Sequence, residues 1–408
     1  MSAPERPLLV LGRAFDGFSR SLSRQLDAIA GDGATFELPE ILDLAERVVV
    51  GDEAFSGRAD LLMVVTDWLP ALIEAGKILP LDDFFAESPP EGWPDAWHPA
   101  LRELQQGPDG RTYGVPYHVG PQMVLYRADL YEDPTEQKEF ADRFGYPLAA
   151  PDTWAQYRDQ ALWFTRRDQG RYGTVLAGYP DEHNTVYDFL TQLWSRGGEL
   201  TGEAGELTLN TPPARAAARF LWDLWHADGV VDPAAAEWDS VASGVRFAAG
   251  DAALMVNWSG FAAMSAPPDS PTHGLVRCAP VPRFDGPGGR RVALNSYWVL
   301  TVAAGSTRPQ EAYRLLRALT TPDMDRITAE SGGVATRRDS WADPAVAASA
   351  PYYRQFEQAH NGTRALPRDA RWPQISQMLN KMVGHIVTGE GAPDELLAAA
   401  HEELVTLN

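Results

Sequence analysis

The 408-residue sequence contains one cysteine, Cys278, and no long run of apolar residues. A single cysteine excludes an intrachain disulfide and a cysteine-based metal cluster. A helix that spans a membrane needs roughly 18 consecutive apolar residues, and no stretch approaches that length. The sequence therefore predicts a chain that does not cross a bilayer, and its cysteine content indicates no particular redox compartment.

Basic residues are also scarce, with 35 Lys and Arg against 56 Asp and Glu, which gives a formal net charge of −21. Proteins that bind nucleic acids present basic patches, which neutralise phosphates and release counterions. The acidic charge is spread along the chain and does not form a tail, as is typical of a solvated surface. We therefore expect no nucleic-acid partner.

Common enzyme motifs are missing. His401 lacks the second histidine of a zinc-protease motif, Ser259 lacks the glycines of a nucleophile elbow, and 286–289 is a turn, not a phosphate loop. The cluster at 181–184 fits neither a zinc site nor an acid–base pair. We predict no catalytic residue, no metal and no cofactor. A glycosidase needs only two facing acids, so a carbohydrate-active enzyme stays as an alternative.

The first part of the chain alternates predicted strands and helices. Strands are predicted at Leu8–Leu11, 35–38 and Leu61–Val65, and a helix is predicted to begin near Asp16 or Ser19. This alternation is typical of an α/β sheet, in which ligands bind beyond the carboxyl ends of the strands. Three candidate ligand contacts occupy such positions: Asp16, Asp67 and Trp68.

The rest of the chain suits a second lobe, because 408 residues exceed one ordinary hydrophobic core. Residues 151–263 are rich in helix signals, with a helix cap predicted at Asp152 or Thr153. Strands are predicted at 277–281 and 292–302. Three later helices are predicted to begin at prolines: Pro309, Pro322 and Pro393.

The segment 113–129, YGVPYHVGPQMVLYRAD, combines strand-forming residues with two prolines. Pro116 and Pro121 exclude a central ladder position, so this segment is predicted to cross between lobes. Followed by PDTW at 151–154, it resembles the central signature of family 1 extracellular solute-binding proteins of ABC importers, the class that contains maltose- and other sugar-binding proteins. Further matches in the family's order lie at 59–63, 75–82, 247–255, 279–282 and 311–313.

The resemblance implies an α/β, two-lobed periplasmic-binding-protein-like fold of type II. Each lobe is then a mixed sheet flanked by helices, with the ligand cleft between the lobes. We expect an N-terminal lobe of 1–115 plus 275–320 and a C-terminal lobe of 116–274 plus 321–408. The chain is expected to leave the first lobe at about Val115, and three side chains after that point are expected to line the cleft: Tyr117, His118 and Gln122.

Thirteen tryptophans are present, and two of those beside polar loops are candidates for stacking on a sugar ring. Trp258 follows a predicted strand, and Trp372 precedes the last helices. The family places aromatic residues at both points. Arg371, beside Trp372, is a candidate to bind a hydroxyl or a carboxylate of the ligand. Resemblance also implicates four polar or aromatic positions, for which helix capping and core packing are the alternatives: His183, Asn184, Ser296 and Tyr297.

By the same resemblance, the protein is expected to capture a mono- or oligosaccharide by hinge closure and to deliver it to ABC transporter membrane permease subunits. It is expected to act as a monomer. We expect a periplasmic or extracytoplasmic origin, although the first residues contain no recognisable export signal. An intracellular ligand sensor with the same fold, located in the cytoplasm, is the alternative.

Overall fold

A computed structural model describes residues 6–202, 204–350, 352–369 and 371–407. Its contacts divide the chain into two compact units. Unit 1 comprises Met1–Gly120, Asn295–Asn361 and Ala365–Trp372, and unit 2 comprises Pro121–Leu294, Gly362–Arg364 and Pro373–Asn408. No helix in these described ranges is both long and apolar enough to span a membrane.

The described residues form eleven strands: β1 Leu8–Leu11, β2 Ala34–Glu37, β3 Leu61–Val65, β4 Val115–His118, β5 Gln122–Arg127, β6 Tyr172–Thr174, β7 Ala252–Trp258, β8 Val276–Pro280, β9 Ala293–Asn295, β10 Trp298–Val302 and β11 Thr363–Ala365. They also form eighteen α-helices: α1 Asp16–Ile29, α2 Ile41–Ala45, α3 Leu69–Glu74, α4 Asp82–Glu87, α5 Pro99–Arg102, α6 Ala128–Tyr131, α7 Pro134–Phe144, α8 Trp154–Phe164, α9 Asn184–Ser195, α10 Pro212–Trp222, α11 Ser240–Ala249, α12 Pro309–Leu319, α13 Pro322–Glu330, α14 Arg338–Ala342, α15 Pro344–Ser349, α16 Phe356–Asn361, α17 Trp372–Thr388 and α18 Pro393–Leu404.

Unit 1 is built on a five-stranded sheet of order β2-β1-β3-β10-β4. β1 runs parallel to β2 and β3, whereas β10 is antiparallel to β3 and β4. All five residues of β3 are buried, as its unbroken LLMVV sequence requires of a strand covered on both faces. The predicted strands at β1 and β3, and the predicted start of α1, are confirmed.

Pro116 lies in β4, the edge strand of this sheet. A proline is tolerated there because an edge strand has one side with no ladder to complete. The chain leaves unit 1 after Gly120, later than the predicted crossing at Val115. The reason is that β4 pairs with β10 as far as His118, and this pairing keeps the segment in the first sheet.

Unit 2 is built on a four-stranded sheet of order β6-β7-β5-β8. β5 is antiparallel to both of its neighbours, and β6 is parallel to β7. Helix α8 packs on β6 and β7, and α9 packs against α10. Thr153 caps α8 in a reciprocal capping box with Gln156, which confirms the predicted cap.

The expected lobe boundaries differ from these units in three further regions. Residues 365–372 were expected in the second lobe but belong to unit 1. Residues 275–294 were expected in the first lobe, but β8 pairs with β5 along its whole length and joins unit 2. Residues 321–361 were expected in the second lobe, but α13 packs on α1 in unit 1. There, Gln25 Nε2 donates to Met324 O at 2.7 Å and to Thr328 Oγ1 at 2.9 Å.

The single strand expected at 292–302 is in fact two strands, β9 and β10, separated by Ser296 and Tyr297. Thr66 explains the break because it binds the backbone of Tyr297 at two points. Its N–H donates to Tyr297 O at 2.9 Å, and its Oγ1 accepts the Tyr297 N–H at 3.2 Å. These bonds hold the end of β3 beside the start of β10.

Candidate ligand-binding site

The carboxyl ends of β1 and β3 carry the first group of candidate residues, all in unit 1. Asp16 is exposed and begins α1, where a carboxylate interacts favourably with the positive end of the helix. Asp67 and Trp68 lie in the short helical turn after β3, and both are buried. The predicted position of these residues beyond the strand ends is confirmed, and their contact with a ligand stays a prediction.

An aromatic cluster lies beside these strand ends. The rings of Trp68 and Trp298 meet edge to face, with centroids 6.2 Å apart, and Phe18 contacts Trp298 at 5.8 Å. Arg13, two residues after β1, places its guanidinium carbon 6.0 Å from the centre of the Trp298 ring. A cation over an indole face is favourable, so the arginine and the tryptophan hold each other in place.

His118 lies at the end of β4 next to this cluster, with its ring 4.8 Å from that of Phe18. Burial lowers the pKa of His118 to about 3, and the positive charge of Arg13 acts in the same direction. The imidazole is therefore neutral at physiological pH. Its Nδ1 accepts the backbone N–H of Val334 at 2.9 Å, which assigns the remaining proton to Nε2. His118 is thus a hydrogen-bond donor.

A small pocket of unit 1 adjoins Asp67. Its polar wall combines Asp67 with Asn295 and Arg368, and its apolar wall includes Leu104 and Leu366. The amide of Asn295 donates to Ala100 O at 2.6 Å, which fixes its orientation. A carboxylate, an amide and a guanidinium around one recess suit the hydroxyl groups of a polar ligand.

Ser296 is buried beside this pocket region, and its Oγ has no hydrogen-bond partner in the described part of the chain. A buried hydroxyl without a partner costs about 1–3 kcal/mol. Ser296 therefore remains a candidate ligand contact, as the sequence predicted.

Three predicted contacts in unit 1 are interior residues. The Tyr117 hydroxyl donates to Gln25 Oε1 at 2.7 Å, and the Tyr297 hydroxyl donates to Leu101 O. Burial raises the pKa of both phenols. Trp372 is buried at the start of α17. Their side chains are occupied by packing and internal hydrogen bonds, so we do not include them among the proposed contacts.

Arg371 was predicted to bind a hydroxyl or a carboxylate. Its guanidinium forms an ion pair with Asp369, with 2.7 Å between Nη2 and Oδ2. This carboxylate is two residues away in the sequence, so the pair is local and partly exposed. Arg371 is already neutralised by its neighbour, which weakens it as a candidate ligand contact.

In unit 2, the candidate residues surround the start of α9 and the end of β7. The indole Nε1–H of Trp258 donates to Asn184 Oδ1 at 3.2 Å, and the backbone N–H of Trp258 donates to Asn257 Oδ1 at 2.8 Å. Tyr187 meets the Trp258 ring edge to face at 5.9 Å. The structure therefore brings together two predicted contacts, Asn184 and Trp258, and leaves the indole partly exposed.

The loop before α9 contains Glu182, whose φ of 62° lies in the left-handed region. This conformation costs a non-glycine residue about 1–3 kcal/mol, and such strain is concentrated at ligand sites. Burial raises the pKa of Glu182, and the neighbouring Asp181 acts in the same direction. His183 is held by its own loop, with Nδ1 2.8 Å from Asp181 O.

Gln122, the remaining predicted contact, is buried in unit 2. Its Oε1 accepts the hydroxyl of Thr191 at 3.2 Å. Gln122 is at the start of β5 and pairs in register with Trp258 of β7. It therefore supports the strand that carries Trp258 from within the unit.

Sequence reasoning missed four candidates: Arg13, Glu182, Trp298 and Arg368. For Trp298, the polar residues just before β10 indicated a site, but only Ser296 and Tyr297 were predicted as contacts there. Glu182 was part of a recognised cluster, and only its backbone conformation distinguishes it from its neighbours. Arg13 and Arg368 lie in loops whose positions depend on the tertiary fold.

The two units, each with a mixed sheet flanked by helices, define the periplasmic-binding-protein class of α/β folds. Solved structures of this class are similar over nearly the whole chain. Maltose-bound MalE3 of T. maritima has a TM-score of 0.82 at 25% identity, covering 98% of this chain and 100% of its own. A solute-binding protein of Agrobacterium radiobacter K84 in complex with ribitol has a TM-score of 0.86 at 20% identity, covering 98% of both chains.

The family model for bacterial extracellular solute-binding proteins matches residues 43–325, and the chain belongs to this family. A probable ABC transporter-binding protein of Deinococcus radiodurans is 26% identical over 309 residues, which cover 73% of this chain and 69% of the relative. The resemblance inferred from the sequence motifs is confirmed.

Proposed function

We propose that this protein is the solute-binding component of an ABC transporter and that it captures a mono- or oligosaccharide, or a related polyol, by hinge closure. The family match over 43–325 carries this proposal. Maltose and ribitol are the ligands named for two structural neighbours, so the proposed ligand class includes both ring sugars and open-chain polyols.

The candidate residues of each unit have the chemistry that such a ligand needs. Trp258, whose indole is partly exposed, offers ring surface for the C–H faces of a sugar. Asp67 and Glu182 accept hydroxyl protons in charge-assisted hydrogen bonds, and His118 donates one from Nε2. A site that combines aromatic surface with a few polar groups binds a neutral polyhydroxylated ligand more readily than an apolar or strongly charged one.

The protein binds its ligand without chemical turnover in this proposal. It acts as a monomer outside the cytoplasmic membrane and transfers the ligand to the permease subunits of the transporter. The name of the family, extracellular solute-binding protein, supports this location. The Deinococcus relative, described as a probable ABC transporter-binding protein, supports the transporter as partner.

A carbohydrate panel tests the proposal. Maltose, ribitol, D-mannitol, D-tagatose and arabino-oligosaccharides are titrated by calorimetry, and the melting temperature is recorded with each. We expect saturable binding of at least one compound at micromolar concentration or below. Failure of every compound to bind to correctly folded protein would contradict the ligand class. Mass spectrometry of the same mixtures should show unchanged carbohydrate, because a new product would identify an enzyme.

A further inference from the structure

Unit 2 contains a small, partly open cavity of about 20 Å³ lined by residues of α8, α9, α10 and β7. Its apolar walls include Leu221, Leu224 and Val256. Its polar groups come from Trp154 on α8 and from Asp188 and Thr191 on α9, together with neighbouring side chains. A cavity of this size holds about one water molecule, and a buried water needs two to four polar partners.

Two buried donors in this region lack an acceptor. Trp154 is 4% exposed, and its indole Nε1–H has no partner in the described part of the chain. Thr191 donates its hydroxyl proton to Gln122 Oε1 at 3.2 Å, and Gln122 Nε2 likewise has no partner there. A buried donor without an acceptor costs about 1–3 kcal/mol. The missing acceptor at Trp154 is therefore expected to be a molecule that is not part of the chain.

Asp188 supplies the acidic group of the cavity. Burial raises the pKa of its carboxyl to about 8, and the negative charge of Asp181 acts in the same direction. The other polar or titratable groups that face it are Tyr157 of α8, whose hydroxyl bonds to Thr174, and Gln192 of α9. The residues of α10 and β7 that line the cavity are apolar.

We propose that this cavity is a binding site for one ordered water, which accepts the Trp154 Nε1–H and hydrogen-bonds to the carboxyl of Asp188. Water fits because it is small, accepts from the indole and donates to the acid. The site links unit 2 to pH, because the carboxyl is neutral when protonated and becomes a partly buried charge when it ionises.

The sign of the pH effect follows from the raised pKa. The unfolded chain ionises Asp188 near the ordinary aspartate value, whereas the folded chain keeps it protonated to higher pH. The stabilising contribution is therefore complete below the unfolded pKa and is lost as the pH rises through the folded pKa of about 8. Asp188→Asn cannot ionise, so it removes this dependence while it preserves the shape of the side chain.

The decisive measurement is the indole Nε1–H resonance of Trp154 in the full-length ¹⁵N-labelled protein, assigned by its disappearance in Trp154→Phe. We expect this resonance to shift with pH between 5 and 9 in the parent protein and to stay constant in Asp188→Asn. The melting temperature of the parent should fall over the same range, and the slope should flatten in Asp188→Asn. Asp159→Asn, the same chemical change on α8, should keep the parent slope.

The proposal is overturned if the Trp154 resonance of the parent is insensitive to pH, or if Asp188→Asn leaves both the resonance shift and the slope intact. If Asp188→Asn does not fold, the pH dependence of the Trp154 resonance in the parent protein still tests the proposal. A crystal structure with an empty cavity would also contradict the water. The indole of Trp163, which donates to Glu136 Oε2 at 2.7 Å, serves as an internal reference.

Discussion

Trp258 and Asn184 are 74 positions apart in the sequence, and a 3.2 Å hydrogen bond from the indole Nε1–H to Oδ1 joins them in unit 2. Asn184 begins α9, and Trp258 ends β7. This bond holds the indole ring in one orientation, because it restricts rotation about the single bonds of the Trp258 side chain. A ring that is oriented before the ligand arrives loses less conformational entropy on binding, which favours affinity.

Trp258→Ala is expected to weaken binding of the carbohydrate identified in the panel by about 100-fold, because it removes the stacking surface. Trp258→Phe keeps a ring but loses the bond to Asn184, and we expect a loss of about tenfold. Isothermal calorimetry measures both. Trp163→Phe removes an indole that bonds to Glu136, away from the candidate residues, and should bind like the parent. Equal affinities of Trp258→Ala and Trp163→Phe would exclude Trp258 from the site.

Asp67→Asn is expected to lower the carbohydrate affinity by about tenfold, since the amide loses a charge-assisted bond to a ligand hydroxyl. The side chain keeps its size, so the pocket beside it should keep its shape. Asp83→Asn is the matched control because Asp83 is almost fully exposed and pairs with Arg111 on the surface. An unchanged dissociation constant for Asp67→Asn, with normal folding, would argue against this contact.

His360 is expected to make unit 1 sensitive to acid. Burial lowers the pKa of its imidazole to about 4, and the ring stacks on Trp341 with centroids 4.9 Å apart. The folded pKa lies below the unfolded value, so stability is complete above about pH 6.5 and is lost as the pH falls towards 4. His360→Gln should make the melting temperature less dependent on pH between about pH 6.5 and pH 4. His273→Gln, at an exposed position, should show the same dependence of melting temperature on pH as the parent protein. If His360→Gln also shows the parent dependence, His360 is not the source of the acid sensitivity.

Asp60 is expected to be a main stabilising residue of unit 1. Its fully buried carboxylate accepts Arg6 Nη1 at 2.6 Å, the Leu9 N–H at 3.0 Å and Ser306 Oγ at 2.8 Å. Burial by itself raises the Asp60 pKa, but these hydrogen bonds outweigh it and hold the pKa below its ordinary value.

Asp60→Ala should lower the free energy of unfolding by about 3 kcal/mol, because it leaves several donors without an acceptor. The contribution is present above the unfolded pKa and is lost as the pH falls through the folded one. Urea denaturation at pH 7 and pH 3 measures both effects. A loss of stability below 1 kcal/mol at pH 7, or an equal loss at the two pH values, would contradict this role.

Local sequence signals were sufficient for most of the elements that position the site. The apolar run of β3, the helix start at Asp16 and the capping box at Thr153 each depend on neighbours in the chain. The family resemblance followed from the order of short motifs and was confirmed by the match over 43–325. The placement of Asp67 and Trp68 beyond a strand end followed from the same local reasoning.

Long-range pairing decided what the sequence left open. Residues 113–129 predicted an extended segment that crosses between lobes, but the pairing of β4 with β10 moved the crossing past Gly120. Tyr117, Tyr297 and Ser296 all carry a hydroxyl, and the sequence does not distinguish them. In the structure, the Tyr117 hydroxyl binds to a residue of α1 and the Tyr297 hydroxyl to a residue of α5, so both tyrosines are interior residues.

The sequence by itself determined the α/β class, the family and the strand ends where candidate contacts occur, because these depend on periodicity and on motifs within a few residues. Only the tertiary structure decided which polar side chains are occupied internally and which keep an unused donor or acceptor. It also brought Arg13 to Trp298 and Asn184 to Trp258, since those contacts join residues far apart in the chain. Hydrogen-bond partners and burial are properties of the packed chain, and no local pattern records them.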